Sequence, residues 1–430
     1  MDYRAIIQDG MDYIEENLKT QISAEEMASR AGFSLYHYYL LFRSATGMPV
    51  MQYILRRRLL HGIYEIRCGR TGIDVALDYG FDTYAGFYKA FRRELGCTPS
   101  DFLKHSRAKR PYRIDLTKEE HMFITRKKAA QILEAWGLNQ AGLTDIYYEG
   151  TGDKNDNAYY VGEDYVLKFT ANLGKLKNHM ELSEAIDGIG LCAAVLIPTA
   201  DGRPYVQEGE CYFYLTKRLP GSQMISKELY EGDSAKEARF IGEIIGQLHL
   251  ALSKIEPPVN DADLYATVRD WALPKSKEAL GLTEGFSKAY IETLGTLFDK
   301  LPRQVIHRDP HPGNIIRSGD RWGFIDFELS ERNVRIYDPC YAATAVLSET
   351  FRTGDTEKWM TIYQNIVYGY DSVAKLTDAE RQAIPYVILA NQLVCVAWFA
   401  EQDKYADHFE VNKRMTRWLV DHFDELKLDV

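Results

Sequence analysis

Hydrophobic and polar positions repeat along the N-terminal part of the chain. Ala28-x-x-x-Gly32-Phe33 returns 48 positions later as Ala76-x-x-x-Gly80-Phe81. Each copy continues through a polar residue, Ser34 or Asp82, into a helical pattern. That pattern reaches a Phe (Phe42, Phe91), a Gly (Gly47, Gly96) and a Pro (Pro49, Pro99). An internal repeat of this kind marks one supersecondary unit used twice. In the first copy Ser23 predicts an N-cap, Glu26 completes a capping box, and the helix runs to about Arg30. Gly32 supplies a turn that a Cβ would resist, and Ser34 caps the next helix. In the second copy residues 72–79 are the first helix, Gly80 the turn and Asp82 the cap. Two helices joined through a glycine turn predict a helix-turn-helix.

The second helix of each pair divides into two faces. Tyr38, Leu41 and Phe42 form the core stripe of the first, with Tyr36, Tyr39, Leu40 and Arg43 opposite. Phe87 and Phe91 face inward in the second, with Tyr84, Tyr88, Lys89 and Arg92 outward. Residues 51–67 read as a connecting helix whose Arg56, Arg57 and Arg58 are available for phosphates. Ala108-Lys109-Arg110-Pro111 reads as linker. Thr117 with Glu120 predicts a further capping box, opening a helix that Gly137 ends. The pattern then changes to strands over 145–149, 158–161 and 164–170. Residues 383–400 are the longest apolar stretch; with Pro385, Asn391 and Gln392 inside, they read as a buried helix rather than a membrane span.

Composition narrows the setting. The 430 residues are 46% hydrophobic and 27% charged, which predicts a globular chain of two or three domains. Cys68, Cys97, Cys192, Cys211, Cys340 and Cys395 are scattered without a C-x-x-C pair. That argues against a zinc ribbon or disulfide framework and for a reducing cytosol. The net charge of −10 is uneven, with residues 1–110 at +3 and the remainder at −13. A mildly basic head on an acidic body fits a nucleic-acid contact at one end, or ordinary surface variation. The start of the chain carries Asp9, Asp12, Glu15 and Glu16 where a secretory signal would be apolar, so the expected location is cytoplasmic, with no membrane role.

The two repeats, with the closing run Phe91-Arg92-Arg93-Glu94-Leu95-Gly96-Cys97-Thr98-Pro99-Ser100-Asp101-Phe102, resemble the DNA-binding domain of AraC/XylS-type transcription regulators over residues 5–107. The resemblance implies recognition helices that enter successive major grooves of promoter DNA. Its DNA-facing candidates are Tyr36, Tyr39, Leu40 and Arg43 in the first helix and Tyr84, Tyr88, Lys89 and Arg92 in the second. Many members carry arginine where this chain has Leu40. Leucine cannot pair with guanine but can pack on a thymine methyl.

The remaining chemistry sits in the C-terminal part. His307-Arg308-Asp309-Pro310-His311-Pro312-Gly313-Asn314 is followed by Phe324-Ile325-Asp326-Phe327. An Asp, an Asn five residues on and an Asp at a later strand suit phosphoryl transfer: one carboxylate takes the acceptor proton, while the Asn and second Asp hold Mg²⁺ on nucleotide phosphates. Upstream, the glycine segment with Gly150 and Gly152 suits either a phosphate-covering loop or an ordinary hairpin turn. Lys168, between apolar strand residues, suits either a phosphate-facing ammonium or an outward edge-strand lysine. These motifs resemble the aminoglycoside phosphotransferase and choline kinase family over residues 140–420. Gly242-x-x-x-Gly246-x-Leu248-His249, a hinge-like 215–221 and Asp338-Pro339 add to the likeness. The resemblance implies Asp309 as catalytic base, Asn314 and Asp326 as metal ligands, and Lys168 on the α and β phosphates. It implies Glu181, or else Glu184, as the lysine's partner. Relatives more often have glycine at Arg308.

The expected fold is therefore multidomain: an all-α double helix-turn-helix domain followed by an α+β, protein-kinase-like two-lobed domain. The expected divisions are 1–107 for the DNA-binding domain, 108–117 for a linker, and 118–220 and 221–430 for the two lobes. The catalytic loop falls at 307–316 and the metal-binding strand at 322–328. The expected function is a transcription regulator that is also an ATP- and Mg²⁺-dependent phosphotransferase acting on a small hydroxyl compound. The alternative is a regulator whose kinase-like part only senses ATP or a ligand.

Overall fold

A computed structural model describes residues 3–104, 108–116, 124–148, 154–257, 259–351, 355–402 and 405–428. Thr117, Glu120, Gly150 and Gly152 lie outside the described residues. The helices α1 (Tyr3–Glu16), α2 (Ala24–Arg30), α3 (Leu35–Thr46), α4 (Val50–Arg67), α5 (Gly72–Asp78), α6 (Tyr84–Leu95) and α7 (Pro99–Lys104) come first. Then follow α8 (Arg126–Ile132), β1 (Leu143–Tyr147), β2 (Lys154–Val161), β3 (Tyr165–Thr170), α9 (Leu173–Gly188), β4 (Cys192–Ala193), β5 (Leu196–Ile197), β6 (Val206–Glu208), β7 (Cys211–Lys217) and β8 (Ser222–Gln223). The rest comprises α10 (Ser234–Leu252), β9 (Asn260–Asp261), α11 (Leu264–Thr267), α12 (Leu273–Leu280), α13 (Glu284–Phe298), β10 (Arg303–Ile306), β11 (Ile315–Ser318), β12 (Arg321–Phe324), β13 (Glu331–Val334), α14 (Tyr337–Thr350), α15 (Thr356–Val373), α16 (Asp378–Phe399) and α17 (Ala406–Asp421). The described residues divide into two compact units, one within 1–148, 152–172 and 198–215, the other within 149–151, 173–197 and 216–430.

In the first unit, α4 belongs to both repeats. Its Tyr53 and Ile54 pack with Ile7, Met11, Tyr38 and Phe42, and its Leu59 and Ile63 pack with Phe87, Phe91 and Phe102. Gly32 and Gly80 take φ of 74° and 80°, the left-handed turns the repeat demands. Ser23 and Ser34 cap α2 and α3. The return half of the Ser23 capping box is replaced, because the Glu26 carboxylate accepts the Tyr13 hydroxyl at 2.5 Å. Asp82 is not the second cap. The second turn is one residue longer, and Thr83 accepts the Gly86 N–H at 3.1 Å. The strands form an antiparallel meander, β1–β2–β3, continued by β7 with β6 on its flank. Strand β2 starts at Lys154, four residues earlier than the pattern predicts, and α8 is capped by Thr125.

The three consecutive arginines of α4 are not a phosphate-facing row. Arg57 is buried and pairs with Glu15 through Nε at 2.5 Å and Nη2 at 2.9 Å. Arg58 donates to the carbonyls of Leu18 and Thr20. Arg56 lies near Glu94 at 3.8 Å. One helical row cannot present three successive residues to one side, and the core takes the middle one. Burial alone would raise the Glu15 pKa, but bonds from His61 and Arg57 and their charges outweigh it and hold it at about 2. A depressed carboxylate contributes stability above its unfolded pKa and loses it as pH falls toward the folded one. Glu15 is thus expected to contribute about 3 kcal/mol near neutrality, lost from about pH 4.5 down to about 2. Circular-dichroism melts of wild type and Glu15→Gln across that range check this; the variant should lose most of that acid-dependent step.

In the second unit the core is helical and α16 runs through it, with Ala383, Ile384, Val387, Ile388 and Leu393 buried. It is long and apolar enough to cross a membrane, but 72% of its apolar window is buried within the protein. Helices α10 and α15 meet through glycines. A Cβ at Gly242 would collide with the Ile366 carbonyl, and one at Gly369 with the Arg239 carbonyl. This close approach is the reason for the Gly242-x-x-x-Gly246 motif. Two small sheets, β10–β13–β9 and β4–β12–β11–β8, flank the segment 307–314.

Candidate functional site

The two helix-turn-helix repeats present distinct outer faces. On α3, Tyr36 is 76% and Leu40 52% exposed, Arg43 is exposed, and Tyr39 is half-buried against the core. On α6, Lys89 and Arg92 are exposed and Tyr88 is half-buried. Tyr84 is turned inward: it stacks on Phe87 at 6.0 Å and lies where a Cβ on Gly72 would fall. Gly47 and Gly96 end the two helices in the left-handed conformation, at φ 82° and 76°.

Lys168 belongs to the first unit. Strand β3 lies between β2 and β7, so the lysine is on an interior strand, paired with Ala158. Its ammonium sits 5.9 Å from the centre of the Tyr214 ring. Glu181 and Glu184 belong to α9 in the second unit, the former half-buried and the latter exposed. Helix α9 is tied to the segment after Asp326: Asn178 donates to the Ser330 carbonyl at 3.3 Å, and His179 packs 6.4 Å from the Phe327 ring.

Within the second unit the structure brings Asp309, Asn314 and Asp326 together through the backbone. The Asn314 amide donates to the Asp309 carbonyl at 2.9 Å and to its carboxylate at 3.3 Å. The Ile325 N–H donates to the Asn314 carbonyl at 3.0 Å, which fixes Asp326 beside it. Since Nδ2 of Asn314 is turned to Asp309, its Oδ1 is the atom left to meet a cation. Asp326 takes φ 70°, rare for a residue with a Cβ. Among the described residues no group of three or more His, Cys, Asp or Glu could hold a metal ion. An Asn and an Asp fit Mg²⁺, which keeps waters and phosphate oxygens in its shell, and would not suffice for zinc.

His307 is fully buried and orients this loop. Its Nε2 lies 3.0 Å from the Ile325 carbonyl and its Nδ1 3.3 Å from the Asp309 N–H. A hydrogen on Nε2 satisfies both bonds. Burial holds the imidazole pKa below its usual value, against the pull of Asp338 and Asp309. The ring therefore links Asp309 to the strand end that carries Asp326.

Three further groups meet this loop, and the family likeness marks Asp338 among them. Asp338 is buried and accepts the N–H groups of His307 and Arg308 at 2.8 and 2.9 Å. Its third bond, 2.9 Å to Nε2 of His249, explains the histidine of the α10 motif, whose Nδ1 meets the Tyr370 hydroxyl at 2.8 Å. Tyr341, one turn beyond Asp338 on α14, lies close enough to Asp309 to feel its charge. Burial and the charge of Asp309 raise its pKa well above the usual phenol range. Arg308 adopts φ 77°, in keeping with the glycine more common there, and is anchored by Glu331 at 2.9 Å and the Tyr337 ring at 4.4 Å.

Residues 27–105 match the helix-turn-helix domain family and residues 149–376 the phosphotransferase enzyme family. Among curated proteins, the transcriptional regulator Rob of Salmonella typhimurium is 32% identical over 158 residues. That match covers 35% of this chain and 55% of Rob, so the chain spans about half of that relative. The regulatory protein SoxS of the same organism is 33% identical over 103 residues, covering 24% of this chain and 96% of SoxS. Among solved structures, a microcompartment-associated aminopropanol kinase superposes with a TM-score of 0.54 at 14% identity, covering 70% of this chain and 98% of its own. An aminoglycoside phosphotransferase solved with GDP and kanamycin superposes with a TM-score of 0.52 at 12% identity, covering 68% and 98%. At those identities the likeness establishes the fold.

Proposed function

From a chain that belongs to the phosphotransferase enzyme family and carries an AraC-type helix-turn-helix domain, we propose a promoter-binding regulator that also transfers the γ-phosphoryl group of ATP to a small hydroxyl compound. The observation that carries the catalytic half is the Asp309–Asn314–Ile325 hydrogen-bond chain, which gathers one carboxylate for the acceptor and two oxygen donors for a cation. Asp309 orients the acceptor hydroxyl and takes its proton. Asn314 Oδ1 and Asp326 would hold Mg²⁺, which when bound neutralises phosphate charge and aligns the nucleotide. Lys168 of the first unit is the group assigned to steady the phosphates, and Glu181 is the carboxylate the family likeness assigns to such a lysine. The neighbours solved with nucleotide support that assignment at the level of fold.

The test is Mg²⁺-dependent transfer of label from γ-labelled ATP into a pool of aminoglycosides, choline and a small-metabolite extract. Labelled product supports the reading and yields the acceptor by fractionation. Nucleotide binding without product in any pool favours a sensor instead. For the DNA half, Tyr36, Leu40, Lys89 and Arg92 supply the exposed face. Lys89→Ala is expected to weaken binding to a selected duplex by about 1–3 kcal/mol in gel-shift titrations. An unchanged affinity would remove α6 from the recognition surface.

A further inference from the structure

Two sets of charges in the first unit reach α6, and neither DNA reading nor phosphate chemistry uses them. Gly96 closes α6, and its N–H meets the Arg92 carbonyl at 3.0 Å. A Cβ at this glycine would collide with the Arg126 guanidinium, so the first residue of α8 is seated on the end of the second recognition helix. Arg126 Nη2 donates to Asp145 Oδ2 on β1 at 2.6 Å. The other oxygen of Asp145, whose side chain is only 8% exposed, faces Lys154 Nζ at 3.1 Å. Lys154 opens β2, and burial first, then the charge of Arg56 on α4, lower its pKa. Arg56 approaches Glu94 of α6 at 3.8 Å, and Gln52 donates to the same carboxylate at 3.2 and 3.3 Å.

Two further attachments fasten the repeats to the rest of this unit. Residues 108–116 lie along α1 and α4. Gln8 brackets them by donating to the Ile114 carbonyl at 3.0 Å and accepting the Leu116 N–H at 2.8 Å, while Arg57 donates to the Tyr112 carbonyl at 2.6 Å. Arg4 of α1 meets Glu210, in the β6–β7 turn, at 3.1 Å. The meander that carries Asp145 and Lys154 also carries Lys168, since Asp145 pairs with Tyr159 and the adjacent Ala158 pairs with Lys168. Two strand positions, Tyr159 and Ala158, lie between Asp145 and that lysine.

We propose that the C-terminal end of α6 is a docking surface for the chain's own α8–β1–β2 segment, and that through it nucleotide binding at Lys168 and DNA binding at α6 are linked. The linkage half rests on the nucleotide role given above to Lys168. A nucleotide changes DNA affinity only if it interacts differently with the two states of this contact. Linkage then works equally in both directions, with couplings of about 5- to 150-fold in affinity. Arg126 is the group to remove, because its side chain is 42% exposed and Asp145 keeps Lys154 without it.

The experiment uses the full chain, AMP-PNP with Mg²⁺, and a fluorescein-labelled duplex selected from a random pool by the protein itself. Nucleotide affinity is measured by calorimetry, duplex affinity by anisotropy with and without nucleotide, and amide exchange over residues 84–96 without DNA. The expected result is at least a fivefold change in duplex affinity and altered exchange in α6 on nucleotide addition. Both are lost in Arg126→Ala and partly restored in Arg126→Lys. Nucleotide binding with unchanged duplex affinity and unchanged exchange overturns the linkage and leaves the phosphotransfer reading standing. A shift that survives in Arg126→Ala overturns the docking route. Absence of nucleotide binding in the wild type overturns the phosphotransfer reading and this inference with it.

Discussion

Asp309→Asn is expected to lower phosphoryl transfer by about 10²- to 10⁴-fold while nucleotide binding persists. The range is what a positioned general base contributes. The substitution keeps the size of the side chain and a partner for the Asn314 amide, and it removes the group that accepts the hydroxyl proton. It also removes the negative charge that Tyr341 faces. The check is kcat from labelled ATP beside the calorimetric affinity for AMP-PNP. A small loss of kcat would shift the base role away from Asp309. Equal losses in both measurements would make it a binding residue.

Asp338→Ala is expected to have the largest effect on stability, about 3–5 kcal/mol, the cost of breaking a buried charged network. Three donors lose their acceptor at once: the N–H groups of His307 and Arg308 and the His249 ring. Asp338 is fully buried, so water cannot replace it without opening the core. The loop that carries Asp309 would loosen, and a displacement of about 1 Å at a reacting group costs about 100-fold in rate. Denaturant titration of the full chain gives the first number and label transfer the second. Asp338→Asn keeps one acceptor oxygen, so it should fall between wild type and the alanine variant in both. A wild-type-like melt for Asp338→Ala would mean that the network does not hold the loop.

The parts of this protein that were legible in its sequence are those set by local rules. Gly32, Gly80, Gly47 and Gly96 are required by left-handed backbone, and each stands where the repeat predicts a turn or helix end. The inward Tyr38, Phe42, Phe87 and Phe91 follow from helical period alone. The glycines of α10 were legible as a motif, but their purpose needed α15, more than a hundred residues on. Where pairing is distant, local reading goes astray. Arg57 looks like a phosphate contact until Glu15, 42 residues earlier, is found beside it. His249 and Asp338 are 89 residues apart and give no joint signal. The cap at Thr83 differs from Asp82 by a single residue in turn length, which hydrophobic pattern does not resolve. Tyr341 was within reach, since a helix beginning near Asp338 puts it one turn further along, yet nothing in its surroundings sets it apart from other buried tyrosines.

Asp309, Asn314 and Asp326 are proposed to form a working nucleotide and metal site on a chain that also carries an AraC-type helix-turn-helix domain. Calorimetric titration of the full chain with AMP-PNP, with and without Mg²⁺, tests it most directly, with Asp326→Asn alongside. Nucleotide binding that Mg²⁺ strengthens is expected in the wild type, and loss of that metal dependence in the variant. No nucleotide binding under either condition, or the same Mg²⁺ dependence in Asp326→Asn, would contradict it.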